Sequence, residues 1–304
     1  MPDDVKLIFN PHADKGNSWR LASTIQNIIE RLGGASWSAT EYPGHATELT
    51  LQAAKEGYRT ITALGGDGTV HEVVNGLMQI RTEERPNLAV VPIGSGNDFS
   101  NNVGIDKDIE KAVLRVFGGN VKAIDIGETT DQSGVTEFWD NTMGIGFDGA
   151  ATILASKITR LQGFPMYLLA VIQTILRHHD VAQMTIQTDT ETIQQDVLMI
   201  AVCNGPREGG GFHVAPDAEY DDGVLDYAMI EGVSRLMLFR LIPEVMNGTH
   251  GRFKQVRLGR SREFKISYDR PMAIHTDGEV FASFTSDIRE LTVKVLPKAL
   301  NVVI

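Results

Sequence analysis

With 304 residues and a formal net charge of -11, from 28 Lys and Arg against 39 Asp and Glu, the chain is long enough for two domains and too acidic for a general nucleic-acid binder, so no nucleic acid is expected as a partner. A composition 42% hydrophobic and 22% charged is that of a globular protein, not a disordered one. The single cysteine, Cys203, excludes an intramolecular disulfide and a cysteine-based zinc cluster, and fits a reducing compartment.

The start, Met1 to Lys6, lacks the basic region and long apolar core of a signal peptide. The longest uncharged apolar segment, Phe164 to Leu176, is too short to span a bilayer as a helix. A soluble cytoplasmic protein is therefore expected.

Val5 to Phe9 reads as a buried strand, and Asn10 to Ser18 as a loop of turn formers with one cation, Lys15, leading into a helix from Trp19 to Leu32. Ala35 to Thr40 follows as a strand, His45 to Glu56 as a helix, and Thr60 to Leu64 as a third strand rich in β-branched residues. A helix from Thr69, a strand from Leu88 to Pro92 and a helix from Ile109 to Phe117 complete the alternation. Such a βα pattern implies a parallel sheet with helices on both faces, an α/β/α three-layer domain. Ligands of such sheets bind beyond the carboxyl ends of the strands, where Asn10, Thr40, the Gly65 to Thr69 turn and the Gly94 to Asn97 turn would gather.

The turn Gly65-Gly66-Asp67-Gly68-Thr69 joins strand to helix. Its glycines permit positive φ and let a bulky ligand approach the main chain. Thr69 can cap the helix, whose free N–H groups and dipole favour an anion, so phosphate is the natural guest. Asp67, a lone acid in this anion site, calls for a cation between itself and the phosphates, with Mg²⁺ the first choice. A plain glycine turn with Asp67 as turn former is the alternative. In the second turn, Pro92 to Phe99, Ser95 suits a phosphate and Asn97 a ribose or base edge.

From Val121 the pattern becomes mostly strands: Val121 to Ile126, Phe138 to Gly144, Gln183 to Thr188, Val197 to Asn204, Val224 to Ile230, Phe264 to Tyr268, Met272 to His275 and Leu291 to Val295. Helical stretches interrupt it at Ala150 to His178, with a break at Gly163-Phe164-Pro165, and at Ser234 to Met246. Many short strands with turn signals suggest a mainly antiparallel β-sandwich. The domains are thus expected at 1–126, with the strands after 291 as candidates to rejoin it, and at 127–290.

Gly65-Gly66-Asp67-Gly68-Thr69, Glu72-Val73-Val74-Asn75-Gly76-Leu77 and Gly94-Ser95-Gly96-Asn97-Asp98-Phe99 resemble the nucleotide-binding motifs of the diacylglycerol kinase catalytic domain. That family includes soluble bacterial lipid kinases, sphingosine kinases and ceramide kinases, and is a cousin of NAD kinases and phosphofructokinases. The likeness extends through Asn10-Pro11, Pro43-Gly44-His45-Ala46, Gly144-Ile145-Gly146-Phe147-Asp148, Gly209-Gly210-Gly211 and Asp222-Gly223-Val224-Leu225-Asp226. Many bacterial members have Thr where this chain has Ser95; the hydroxyl is kept.

The resemblance implies ATP contacts from Asn10, Lys15, Thr40, Gly65, Gly66, Asp67, Gly68, Thr69 and Ser95, and an NAD kinase-like fold. Asp217 to Asp222 concentrate four carboxylates, which are either a solvated acidic turn or a site for an oxygen-ligated cation. The resemblance favours a structural Mg²⁺ or Ca²⁺ site there, from the Asp222 side chain and the carbonyls of Glu219 and Val224. His275-Thr276-Asp277-Gly278-Glu279 reads as a hairpin turn. The resemblance makes Glu279 the candidate base, with Asp67 and Asp277 organising metal and water, and partial desolvation of the base would help it.

His178 and His179, adjacent on a helix, point apart and are read as a helix end. From Arg252 to Arg270 seven basic residues face two acidic ones, a stretch suited to an anionic bilayer surface or to solvent-facing strand positions. Phe164 to Leu169 offers an acyl-chain groove or plain core.

The expected protein is an ATP- and Mg²⁺-dependent kinase acting on a hydroxyl of a membrane lipid such as diacylglycerol, in a cleft between the two domains, with peripheral contact to the membrane surface and a place in phospholipid metabolism. Two rivals stay open: a kinase of a soluble nucleotide or sugar, and a catalytically inactive nucleotide-binding regulator, which would be expected to have lost the acids at 67, 222 and 279. A homodimer is left open as well.

Overall fold

The computed structural model describes residues 4–105 and 107–304; Met1 to Asp3, part of the start read above for a signal, lie outside the described residues. The chain separates into two compact units, Met1–Ile124 with Lys298–Ile304, and Asp125–Pro297.

The first unit alternates strand and helix. Its elements are β1 (Val5–Phe9), α1 (Trp19–Arg31), β2 (Ser36–Ala39), α2 (His45–Lys55), β3 (Thr60–Gly65), α3 (Asp67–Met78), β4 (Asn87–Pro92), α4 (Asp98–Asn102) and α5 (Ile109–Gly118). All five residues of β1 are buried, as a strand covered on both faces requires. β2 pairs β1, β1 pairs β3 and β3 pairs β4, each in parallel.

One face is closed by α1 and α5, whose Ile25, Ile28, Ile29, Ala112, Val113 and Val116 pack on Val5, Leu7, Phe9, Leu64 and Val91. On the other, α2 and α3 lie so close that a Cβ at Gly76 would stand 2.6 Å from Thr50 Cβ. Glu72 fixes their relation: its carboxylate accepts from Gly44 N at 2.8 Å and Ala46 N at 2.9 Å, capping the free amides that open α2.

The chain's last residues return to this sheet. β15 (Glu290–Val303) begins in the second unit and ends in the first, where Val302 pairs Leu88 of β4 in parallel. Arg85 ties that end down. Its guanidinium donates to Leu77 O at 3.0 Å, to Ile80 O at 2.8 Å and to Ala299 O, so it satisfies carbonyls around the end of α3 and holds the returning strand together.

The second unit is built of antiparallel pairs: β5 (Val121–Asp131) with β6 (Thr136–Trp139), then β7 (Thr142–Gly146), β8 (Ala182–Gln187), β9 (Thr192–Cys203), β10 (Leu225–Glu231), β11 (Val256–Ser261), β12 (Glu263–Tyr268), β13 (Ile274–Thr276), β14 (Glu279–Ala282) and the first half of β15. β9 is shared, pairing β8 through residues 192–197 and both β7 and β10 through its buried second half. Inward side chains such as Trp139, Ile145, Ile200, Tyr227, Phe264 and Val293 fill the sandwich. Three helices, α6 (Phe147–Ser156), α7 (Gly163–Arg177) and α8 (Arg235–Met246), cover the opposite face of β9 and β10 through Ala151, Val171, Leu238 and Leu241.

Several boundaries differ from expectation for physical reasons. The helix after the glycine turn starts at Asp67, with Gly66 as N-cap. The 138–144 stretch is two strands, because Asp140 and Asn141 bend between them. Gly163-Phe164-Pro165 opens α7 and does not break it: a proline in a first turn gives up an N–H that has no intrahelical partner there. Val256–Ser261 escaped notice since its Arg257 and Arg260 mask the alternation.

Candidate active site

In the first unit the two glycine turns meet backbone to backbone. A Cβ on Gly94 would lie 2.4 Å from Gly66 Cα, one on Gly65 2.2 Å from Thr69 Oγ1, and one on Gly96 2.8 Å from Asp67 Oδ2. These glycines are therefore demanded by the contact of the turns themselves. Ile93 N donates to Gly65 O at 2.9 Å and Phe99 N to Asp67 Oδ1 at 3.3 Å, which locks the second turn onto the first. What remains is the uncapped start of a 12-residue helix, with no side-chain cap on Gly66 and Ser95 exposed beside the joined turns. Unobstructed amides at a positive dipole end fit a phosphate group.

Several predicted contacts are turned inward. Thr69 is not the cap of α3; it sits inside the helix, buried, and its Oγ1 accepts from Asn10 Nδ2 at 3.0 Å. Asn10 Oδ1 also accepts from His12 N at 2.9 Å, so its amide keeps one donor and one acceptor for a ligand. Asn97 does not present its amide to a ribose. It sits at φ 57, accepts from Gly94 N at 3.1 Å and donates to Gly94 O at 2.7 Å, closing the turn. Thr40 is buried next to the β1 end, its N–H donating to Phe9 O at 2.9 Å. Lys15 is exposed and follows Asp14, both at left-handed φ (55 and 49), a conformation side chains other than glycine adopt at some cost.

The second unit carries a constellation that the sequence reading did not single out. Asp148, on α6, lies with its Oδ2 3.1 Å from His275 Nε2; Glu208 Oε2 is 4.0 Å from the same nitrogen, and all three side chains are buried. Tyr167 OH donates to Asp148 Oδ1 at 2.9 Å, and Thr142 Oγ1 to Glu208 Oε2 at 2.7 Å. Gly144 makes the pair possible, since a Cβ there would strike Asp148 Oδ2 at 2.2 Å and His275 Nε2 at 2.5 Å. Gly209 and Gly211 lie flat on the rings of Tyr167 and Phe164, which positions the Glu208 loop.

The charges in this cluster depend on one another. Burial and the nearby Asp148 carboxylate push the Glu208 pKa up to about 8, so it is a neutral acid near pH 7. Burial presses the His275 pKa down, but Asp148 outweighs it and carries it up to about 9; Asp148 itself is held low, since His275 overcomes its burial. Against protonation of the ring stands Gly278 N, which donates to His275 Nδ1 at 3.2 Å and needs a lone pair there.

Asp148 and Glu208, with Tyr167 and His250, are the polar lining of a mostly apolar cavity of about 70 Å³, bounded by Phe147, Val171, Met199, Phe212 and Leu241. An order of five water-sized sites fits such a volume.

The predicted catalytic acids divide in role. Glu279 is exposed at the first position of β14, not partly desolvated as expected. Asp277, at φ 52, does not face outward as a metal organiser: its carboxylate accepts from Asp140 N, Asn141 N and Thr142 N at 2.9, 2.9 and 3.0 Å. It clamps the turn bearing Glu279 to the bend between β6 and β7. Asp67 lies in the first turn of α3 as described.

At the acidic loop, Asp222 Oδ1 accepts from Val224 N at 3.2 Å while Arg260 reaches Asp222 at 3.5 Å, Asp226 at 3.0 Å and Asp217 O at 2.8 Å. Arg260 is thus the loop's counter-charge. Oxygen donors of this kind suit a hard dication, and Asp226 Oδ2 is buried there with no hydrogen-bond partner, so the residues fit Mg²⁺ or Ca²⁺ in kind. The basic stretch is largely paired within its own unit: Arg252 with Glu244, Arg257 with Glu191, Arg260 as above and Arg270 with Asp269. His178 stacks on Phe284 at 4.6 Å and His179 bonds Val233 O, as a helix end. Among the described residues no helix is long and apolar enough to cross a membrane.

Residues 4–129 match the diacylglycerol kinase catalytic domain, and residues 141–304 match the YegS C-terminal NAD kinase beta sandwich-like domain. The chain belongs to the diacylglycerol kinase family. Family membership makes it an enzyme of the lipid kinase class. Its sequence is 29% identical over 280 residues to the diacylglycerol kinase of Bacillus subtilis (strain 168), covering 90% of this chain and 89% of that one. It is 25% identical over 284 residues to the diacylglycerol kinase of Mycobacterium tuberculosis (strain CDC 1551 / Oshkosh), covering 93% and 86%. A crystal structure of a diacylglycerol kinase from Bacillus anthracis str. Sterne shares the fold, with a TM-score of 0.74 at 21% identity over 99% of this chain and 96% of that one. The glycine turns of the first unit are turn contacts; in the second unit Gly144 leaves room for Asp148 and His275, and Gly209 to Gly211 leave room for Tyr167 and Phe164.

Proposed function

We propose that this lipid kinase uses ATP and Mg²⁺ to phosphorylate a hydroxyl of a membrane lipid of the diacylglycerol type. The observation that carries the reading is the mostly apolar cavity of the second unit, with Asp148 and Glu208 among its lining. Such a cavity suits an acyl chain with a hydroxylated head, and a soluble sugar or nucleotide would leave its apolar wall unpaired.

ATP would be the phosphoryl donor, and Mg²⁺ would supply charge neutralisation at the phosphate oxygens. The start of α3 with Ser95, Asn10 and Thr40 would hold the phosphates, Lys15 would offset their charge, Asp67 would hold Mg²⁺ beside them, and Asp222 with the carbonyls of Glu219 and Val224 would hold a structural cation. Glu279 accepts the acceptor's hydroxyl proton at its carboxylate, and Asp277 keeps its turn in place through the three amides it binds. Tyr167 and Asp148 orient the lipid head.

The test is a phosphorylation screen with γ-labelled ATP against diacylglycerol, monoacylglycerol, phosphatidylglycerol and sphingoid micelles, with NAD in parallel, using wild type and Glu279→Gln. Lipid turnover in wild type and at least a roughly hundredfold loss in the variant are expected. Turnover of NAD alone, or an unaffected variant, would sink the reading.

A further inference from the structure

We propose that His275 is a positioning residue whose ring ties Asp148, which lines the cavity, to the turn that presents Glu279. The inference rests on the reading of Glu279 as base and adds the element that sets where that base stands.

The ring is engaged on both sides. Nε2 faces Asp148 Oδ2 at 3.1 Å and Nδ1 accepts from Gly278 N at 3.2 Å, and Gly278 is the residue before Glu279. β13 holds the His275 backbone between β7 and β14, where it pairs Gly144 on one side and Val280 on the other. His275 is 2% exposed, and its contact with Asp148 forms out of water, where it is strengthened, while the contact with Gly278 is partly buried.

The turn itself needs an internal support of this kind. Asp277 and Gly278 both take left-handed φ, at 52 and 85, and Gly278 has nothing within 4 Å of the space a Cβ would fill. Asp277 anchors the first half of the turn through its carboxylate. The Gly278 amide, bonded to the ring, anchors the second half, directly before the base.

A lipid head that settles against Asp148 therefore acts on the same ring that holds the Glu279 turn. Filling the cavity and placing the base are linked through one side chain.

Asparagine and glutamine separate the two ring contacts. His275→Asn keeps an acceptor near the Nδ1 position, and His275→Gln keeps a polar group near the Nε2 position while removing the acceptor for Gly278. Steady-state rates with ATP and diacylglycerol micelles, together with thermal unfolding of each variant and Glu279→Gln alongside, form the experiment. We expect kcat of His275→Gln to fall roughly tenfold with KM values within about twofold, and His275→Asn to keep kcat within about threefold.

In the wild type, the ¹⁵N shift of His275 Nδ1 reads the contact without any variant: a lone-pair nitrogen supports it, and a protonated Nδ1 overturns it. Equal loss in both variants, or a wild-type kcat in His275→Gln, also overturns the positioning role. Loss of turnover in Glu279→Gln with full activity in His275→Gln refutes the positioning alone; full turnover in Glu279→Gln refutes the base and the positioning with it.

Discussion

The two units build their chemistry from opposite materials. In the first, the site is backbone kept bare: Gly66 and Gly94 touch through their Cα atoms, and the amides at the start of α3 are left to a ligand. In the second, the site is buried side chains, Asp148, Glu208 and His275, kept in place by Tyr167, Thr142 and the cavity wall. The difference teaches where each is fragile. A bare backbone fails when anything is added, while a buried polar cluster fails when one partner is removed or its proton moves.

The largest expected effect breaks the first half of the comparison. Gly94→Val places a side chain on Gly66 Cα, with only backbone to yield, and should destabilise the first unit by roughly 4 kcal/mol or prevent its folding. Urea unfolding followed by Trp19 and Trp37 fluorescence reads this. A variant with the wild-type midpoint would show that the turns are not held at contact.

Asp277→Ala strikes the second unit. It leaves the Asp140, Asn141 and Thr142 amides without their acceptor and should cost roughly 2–4 kcal/mol. If the loss appears only in turnover and not in the unfolding midpoint, Asp277 is a metal or water organiser after all.

The smallest effect sharpens the picture of the cluster. Burial and the Asp148 carboxylate raise the Glu208 pKa to about 8 against 4.5 in the ordinary carboxylate. Its folded pKa lies above the unfolded one, so the folded unit holds more protons than the unfolded chain, and its stability falls as pH rises from about 4.5 to 8. The wild-type Tm should drop by roughly 5 °C between pH 6.5 and 8, and Glu208→Gln, neutral at every pH, should flatten part of that slope. Scanning calorimetry across the range checks it; an unchanged slope in the variant would show that Glu208 is not the group that titrates.

The alternation of strand and helix, the parallel order and the glycine turns were readable because their signals are local. Three glycines beside a β-branched run specify a turn that needs no knowledge of the partner strand. Asp67 and Ser95 stand within those local turns, Asp67 in the first turn of α3 and Ser95 exposed in the second glycine turn. Thr69 and Asn97 differ from expectation because side-chain amides and hydroxyls are claimed by whichever polar group lies nearest in space, here the Asn10 side-chain amide and the Gly94 backbone. Asp277 was taken for a metal organiser because a hairpin Asp and a backbone clamp look alike until the Asp140 to Thr142 bend is in view.

What the residues alone determined is the class of fold: a parallel α/β domain with glycine turns at its strand ends and an antiparallel partner, announced by periodicity and glycine spacing. What only the tertiary structure decided is the acid–histidine cluster, assembled from Asp148 on α6, Glu208 in the loop after β9 and His275 on β13. Sequence separation hides it, since each member reads alone as an ordinary buried residue. Burial is what joins them: removed from water, their charges can be satisfied only by one another, and the fold is the one place where that happens.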